Sequence, residues 1–351
     1  MQQLLVDQNL DSMAKNCPSA DSAWVERLSN WQFFYHVSQV FGFSLLVDEY
    51  YWPEILVLDI PNTNGLNLTN SELKQIDYKT ILDASKNLIE KVKDGKNKLS
   101  YSLLKENIED NSIFGENDKN LFRCTFSHVD VDEQICFDYM NLLDRDQKVL
   151  KQFKFKNNDV NKFFENNFSN IVSMQIRRGS GIRVQKEYIE TLKEHVDPKI
   201  IKNYYQHLYK VGGEFNACSY PLHSDEYYYS IIEKILENDP NQKIYVSYDV
   251  PKSFINHILE KYPNNLVTKH NYLDEYLNFF NDLNLKSDNH FLSLEKTVIN
   301  LLDFFALAHS GSIVSHAKVD MNNLLESFFT VNQSGWIYFS LFYKPKKVIH
   351  I

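Results

Sequence analysis

Apolar positions recur at helical spacing through Trp24, Leu28, Trp31, Phe34, Tyr35, Val37 and Phe41, and Gly42 closes the run as a glycine just past a helix terminus does. The apolar stretch 43–47 then predicts a short buried strand. Helical spacing returns at Ile81, Leu82, Ala84, Leu88, Ile89 and Val92 and stops at Gly95. Residues 1–23 are polar and without period, which predicts a loose N-terminal tail. The stretch 95–120, rich in Lys, Asn and Asp, predicts loops.

Beyond residue 130 the pattern becomes regular. Helices are predicted over 139–155 and 159–164, and a strand over 170–176. A helix over 224–236 begins at the capping residue Ser224, and one over 251–262 carries Pro251 in its first turn. Strands over 243–247, 266–268 and 312–315 alternate with a strongly apolar helix over 296–309. Asp320 starts a further helix, and 336–342 predicts a last strand. Such alternation builds right-handed βαβ units and a parallel, doubly wound sheet. A boundary near 165–170 divides an α/β domain over 24–168 from a second over 169–351.

At 351 residues the chain has room for two domains of ordinary size. Aromatic side chains are abundant (21 Tyr, 24 Phe and 4 Trp), which suits clefts for flat or sugar-like ligands but more often serves core packing. The net charge of −9 and the lack of a dense Lys/Arg run argue against a nucleic-acid partner, and Lys344, Lys346 and Lys347 read as a solvated strand end. The apolar run 336–343 is far too short to span a bilayer, and residues 1–7 have no signal-peptide character. Cys17, Cys124, Cys136 and Cys218 form no metal or redox spacing; they read as reduced thiols of a cytoplasmic protein.

In a doubly wound sheet the ligand sits at the carboxyl ends of the strands. Three polar signals fall there: Arg177-Arg178 before Gly179-Ser180-Gly181, Asp249, and Ser315 to Lys318. Paired guanidinium groups beside glycines can hold a phosphate, or they can bridge surface carboxylates. Asp303, inside an apolar helix, must be paired or face a polar cleft; it either bonds a neighbouring group or accepts the N–H pair of a guanine base. Asp249 is a site residue or a cap for the helix after it. His128, Asp130 and Asp132 share one strand face without a fourth ligand and read as an exposed face, so no metal is expected.

Gln175-Ile176-Arg177-Arg178-Gly179-Ser180-Gly181 resembles the His-x-Arg-Arg-type motif of the fucosyltransferase superfamily. Residues 27–35 and 41–47 resemble that family's N-terminal helix start and strand. Residues 245–249 resemble its strand ending in Thr-Asp, and 297–315 its Asp-bearing helix and following strand. The resemblance implies two Rossmann-like domains facing each other in the GT-B arrangement, with the acceptor side in 24–168 and the nucleotide-sugar side in 169–351. It implies inverting, metal-independent transfer of L-fucose from GDP-fucose to a glycan acceptor, with no cofactor. Arg177 would contact the β-phosphate, with Arg178 and Gly179 beside it. Asp303 would read guanine, and Gln175 would stand where the family has histidine. Asp249 and Ser315 would complete the donor site.

The chain also departs from the family. Arg27 and Ser29 stand where glycines are usual, and Lys318-Val319 replaces a Ser pair, so Lys318 supplies a charge in place of hydroxyl donors or faces water. Glu187, ten residues after Arg177, lies where a family acid can sit and otherwise reads as an exposed glutamate at a helix start. These departures leave a second reading, a non-catalytic nucleotide- or glycan-binding relative of the same fold.

Overall fold

The computed structural model describes residues 3–8, 44–47, 56–58, 74–77, 83, 121–126, 153–176, 190, 192–210, 223–283, 294–315, 340 and 347–350. They belong to two units, Met1–Asn158 and Asp159–Ile351.

In the first unit, strands β1 (Gln3–Gln8), β2 (Ser44–Val47), β4 (Lys74–Asp77) and β5 (Leu121–Phe126) form a parallel sheet in the order β2-β1-β5-β4. Strands β3 (Leu56–Leu58) and β6 (Phe153–Phe155) form a separate antiparallel pair. Two expectations change here. Gln3–Gln8 is an inner strand and not part of a loose tail: Leu4, Leu5 and Val6 pair in register with Leu45, Leu46 and Val47. A three-residue apolar run is too short to show a period, yet it suffices for a strand flanked on both sides. The last three residues of the helix predicted over 139–155 are β6.

The second unit runs α1 (Asn158–Phe168), β7 (Val172–Ile176), α2 (Pro198–Lys210), α3 (Asp225–Asn238), β8 (Ile244–Tyr248), α4 (Asn256–Lys261), β9 (Leu266–Val267), α5 (Leu273–Asn278), α6 (Leu294–His309), β10 (Ser312–Ser315) and β11 (Lys347–His350). All five strands are parallel, in the order β11-β10-β7-β8-β9, the α/β architecture expected from the alternation. Ser224 caps α3, its side chain accepting from the Tyr227 amide. Pro251 precedes a 3₁₀ turn over Lys252–Phe254, and only then does α4 begin, so the predicted helix over 251–262 is broken in two.

The final strand is also displaced. Ser340, inside the run predicted as a strand, is helical and buried, and the chain instead adds Lys347–His350 to the sheet edge. Periodicity cannot separate helix from strand in so short an aromatic run. The exposed Lys347 suits an edge position.

Strand alternation sends the side chains of the second unit to two faces. Met174, Ile176, Val246, Tyr248 and Val314 join Ile201, Tyr228, Ile231, Ile235 and Ile258 in one apolar core under α2, α3 and α4. The opposite face carries α1, α5 and α6, where Phe164 and Phe168 meet Tyr276, Phe305 and Tyr245 in edge and tilted contacts. On this face the described aromatic residues Phe163, Phe164, Phe168, Tyr245, Tyr276 and Phe305 fill the core.

Gly311 fastens the turn into β10. Its amide bonds the carbonyls of Phe168 and Ile171, and its own carbonyl accepts from the Lys347 amide. A Cβ there would run into the Ser169 carbonyl oxygen, so only glycine lets the two turns approach. Among the described residues no helix is long and apolar enough to cross a membrane.

Candidate functional site

The order of the strands locates the site. From β7 the chain moves outward to β8 and β9, then returns to lay β10 and β11 on the other side. The order therefore reverses between β7 and β10, the point at which doubly wound sheets open a crevice at their carboxyl ends. β7 ends at Ile176, the residue before Arg177 in sequence, and β10 ends at Ser315.

The face turned toward α6 is polar where the other is apolar. Ser173, Gln175, Tyr245, Ser247 and Ser315 all lie on it, each buried. Gln175 stands beside Ser247 in register, and the β7–β10 register, carried on two residues, sets Ser315 on its other side. Burying so many hydrogen-bonding groups together is costly unless they bond one another or a ligand. Some of this requirement is met internally, since the Ser173 and Ser310 hydroxyls lie 2.7 Å apart and Ser310 donates to the Leu307 carbonyl.

Asp303 projects from α6 into this layer and is 3% exposed. The Tyr245 hydroxyl donates to its Oδ1 at 2.6 Å, and the Lys269 ammonium donates to Oδ2 at 2.6 Å. The charge is thus paired, and the pairing links α6, β8 and the turn after β9. Lys269 is held by that turn, in which Thr268 and Asn271 form a capping box, and its ammonium lies 5.1 Å from the centre of the Tyr248 ring.

Burial, and then the Asp303 charge, hold the Tyr245 phenol well above its ordinary ionisation range; the same two causes raise Tyr248. His270 is lowered, first by burial and then by the cations Lys252 and Lys269, against a smaller opposing pull from Asp303.

Asp249 follows β8 at the carboxyl edge and is exposed. The N-cap positions of the two elements after it are Pro251 and Ile255, and the Asp249 carbonyl accepts from the Tyr204 hydroxyl. Of the residues predicted for the site, Gln175, Asp249 and Ser315 are thus at or near the carboxyl edge of one sheet, and Asp303 lies over the same sheet face, bonded to Tyr245 near the start of β8. Arg177, Arg178, Gly179, Glu187 and Lys318 lie outside the described residues, as do His128, Asp130 and Asp132. Tyr245 and Lys269 were not anticipated. Lys269 in particular lies in a Lys-His-Asn turn that carries no motif, 34 residues before its partner.

No family model and no curated protein matches this chain. Solved structures of similar fold do exist. Fucosyltransferase NodZ from Bradyrhizobium is 10% identical, with 90% of this chain and 88% of that chain covered and a TM-score of 0.38. The NodZ alpha-1,6-fucosyltransferase soaked with GDP-fucose is 10% identical, with 92% and 97% covered and a TM-score of 0.39. POFUT1 in complex with GDP-fucose is 8% identical, with 100% and 98% covered and a TM-score of 0.45. These are fucosyltransferases, the group that the sequence motifs resemble.

Proposed function

We propose that the chain is an inverting, metal-independent glycosyltransferase that moves L-fucose from GDP-fucose to a glycan or glycoconjugate acceptor. The observation that carries this reading is the reversal of strand order between β7 and β10, with a buried polar layer beneath it and Arg177-Arg178-Gly179 next in sequence after β7. A nucleoside diphosphate is held at such an edge by backbone donors, and an arginine beside them adds bidentate, charge-assisted bonds.

In this reading an acceptor hydroxyl attacks the sugar's anomeric carbon from the face opposite the departing GDP, so the configuration inverts. Negative charge grows on the β-phosphate as the bond breaks, and Arg177 favours it more in the transition state than in the ground state. That cation does the work a metal ion does elsewhere. Glu187 takes the proton of the attacking hydroxyl. Asp303 is assigned the N1–H and exocyclic amine of guanine, with Gln175 and Ser315 assigned to the same donor site; its oxygens accept from Tyr245 and Lys269 and it is 3% exposed, so this contact requires Lys269 to turn away when the donor binds. Asp249 and Lys318 line the donor's sugar-phosphate end.

Isothermal titration with GDP and ADP tests the donor assignment. Adenine offers an acceptor where guanine offers a donor, so GDP is expected to bind more tightly by about 1–3 kcal/mol. Equal affinities would overturn it. Release of GDP from GDP-fucose over an acceptor panel tests the chemistry, and it should proceed unchanged in EDTA. Binding of GDP with no release across the panel would instead identify a non-catalytic binder, and activity lost in EDTA and restored by Mn²⁺ would refute metal independence.

A further inference from the structure

On the sheet face opposite Asp303, three side chains from distant parts of the chain come together. His195 lies in the turn before α2, Asp225 is the first residue of α3, and His257 is the second of α4. α3 leads into β8 and α4 leaves it, so both helices begin at the carboxyl edge of the sheet. The His257 Nε2 and the Asp225 Oδ2 are 2.7 Å apart, with side-chain exposures of 10% and 6%. The His195 ring stacks on His257 at 4.0 Å between centroids and 7° between planes. One ligand atom from each residue lies within 4.8 Å of the other two. The His257 Nδ1 is buried and has no hydrogen-bond partner.

We propose that His195, Asp225 and His257 form a binding site for a divalent transition-metal ion of the zinc type, separate from the transfer site. Two imidazoles and one carboxylate are the mixed nitrogen and oxygen set such an ion takes, and a fourth position is left for water. Bonds of about 2.0–2.1 Å place the ligand atoms of a tetrahedral ion roughly 3.3 Å from one another, so the widest separation in this cluster must close by up to about 1.5 Å while the 2.7 Å contact between His257 and Asp225 opens.

The stacked rings aim their nitrogen lone pairs along parallel planes, and one ring must turn for the two to converge. His195 is the exposed ring and is free to turn, while His257 is held against Asp225. Metal binding therefore exchanges a ring stack for a chelate. The ion would join the turn before α2 to the starts of α3 and α4, closing loops of roughly thirty residues each and so stiffening this edge of the sheet.

The test is a Co²⁺ titration of the EDTA-stripped full chain followed by visible absorption, with Zn²⁺ competition. One equivalent of Co²⁺ should give the intense bands of a four-coordinate ion, and Zn²⁺ should bleach them. His195→Ala removes an exposed ring and is expected to fold as the wild type. It should weaken Co²⁺ binding at least tenfold and abolish the rise in melting temperature that Zn²⁺ gives the wild type. Asp225→Asn should do the same. A wild type that gives only the weak bands of hydrated Co²⁺ would overturn the proposal, as would equal Co²⁺ affinity in His195→Ala. The readout needs no transferase activity, so its failure and that of the transfer reading are distinguishable.

Discussion

Replacing Asp303 by asparagine keeps the shape of the side chain and removes its charge. Three consequences follow from the geometry. Tyr245, fully buried, keeps an acceptor, but a charge-assisted bond becomes a neutral one. Lys269 loses its counter-ion, and with the amide oxygen kept toward Tyr245 the amide nitrogen stands in place of Oδ2 and competes with the ammonium as a donor. Lys269 is 17% exposed at its side chain and can turn its ammonium to water, so the stranded charge costs less than in a sealed core.

Breaking a fully buried pair costs about 3–5 kcal/mol, and a hydrogen bond to a charged group is worth about 1.5–3 kcal/mol. With that escape route the expected loss is about 2–4 kcal/mol. For a unit of this size that lowers the melting temperature by about 4–16 °C. Urea unfolding followed by circular dichroism measures it, and a cycle with Lys269→Met isolates the pair, with a coupling expected above about 1 kcal/mol. A loss below about 0.5 kcal/mol, or full additivity in the cycle, would refute the structural account. GDP and ADP titrated against the same variant report on the second role of Asp303: a narrowed preference for GDP supports the guanine contact, and an unchanged ratio removes it.

Gly311→Ala should destabilise the second unit by about 1–3 kcal/mol, since the new methyl group meets a backbone carbonyl that cannot swing away; a melting curve matching the wild type would contradict the close approach. Arg177→Lys should lower kcat/KM on the order of tenfold or more at unchanged melting temperature, because a lysine cannot reproduce bidentate phosphate binding; unchanged kcat/KM would sink the phosphate role. Burial holds Tyr245 and Tyr276 protonated in the folded chain above pH 10, while the unfolded chain loses those protons. The unfolded state then binds fewer protons, so stability is complete below about pH 10 and falls as pH rises. Tyr276→Phe should make that fall shallower in urea titrations at stepped pH, and an identical slope would contradict it.

The sequence by itself determined the second unit's architecture. Runs such as Val172 to Ile176 and Ile244 to Tyr248 are short, apolar and separated by helical periods, and parallel strands with crossover helices are the arrangement that buries them. It also showed that Asp303 needed a partner, because a carboxylate in an apolar helix cannot stay unpaired. Which partner it takes was decided by tertiary structure. Lys269 and Tyr245 reach it only when β8 and the turn after β9 are laid against α6, and no local spacing encodes that meeting. The same holds for His195, Asp225 and His257, whose separations of about thirty residues match no ligand motif. β1 was missed for a related reason: three apolar residues carry no period, and their match to Leu45, Leu46 and Val47 exists only in the paired sheet. Local sequence sets which faces must be buried, and contact across the sheet selects the polar groups that meet there.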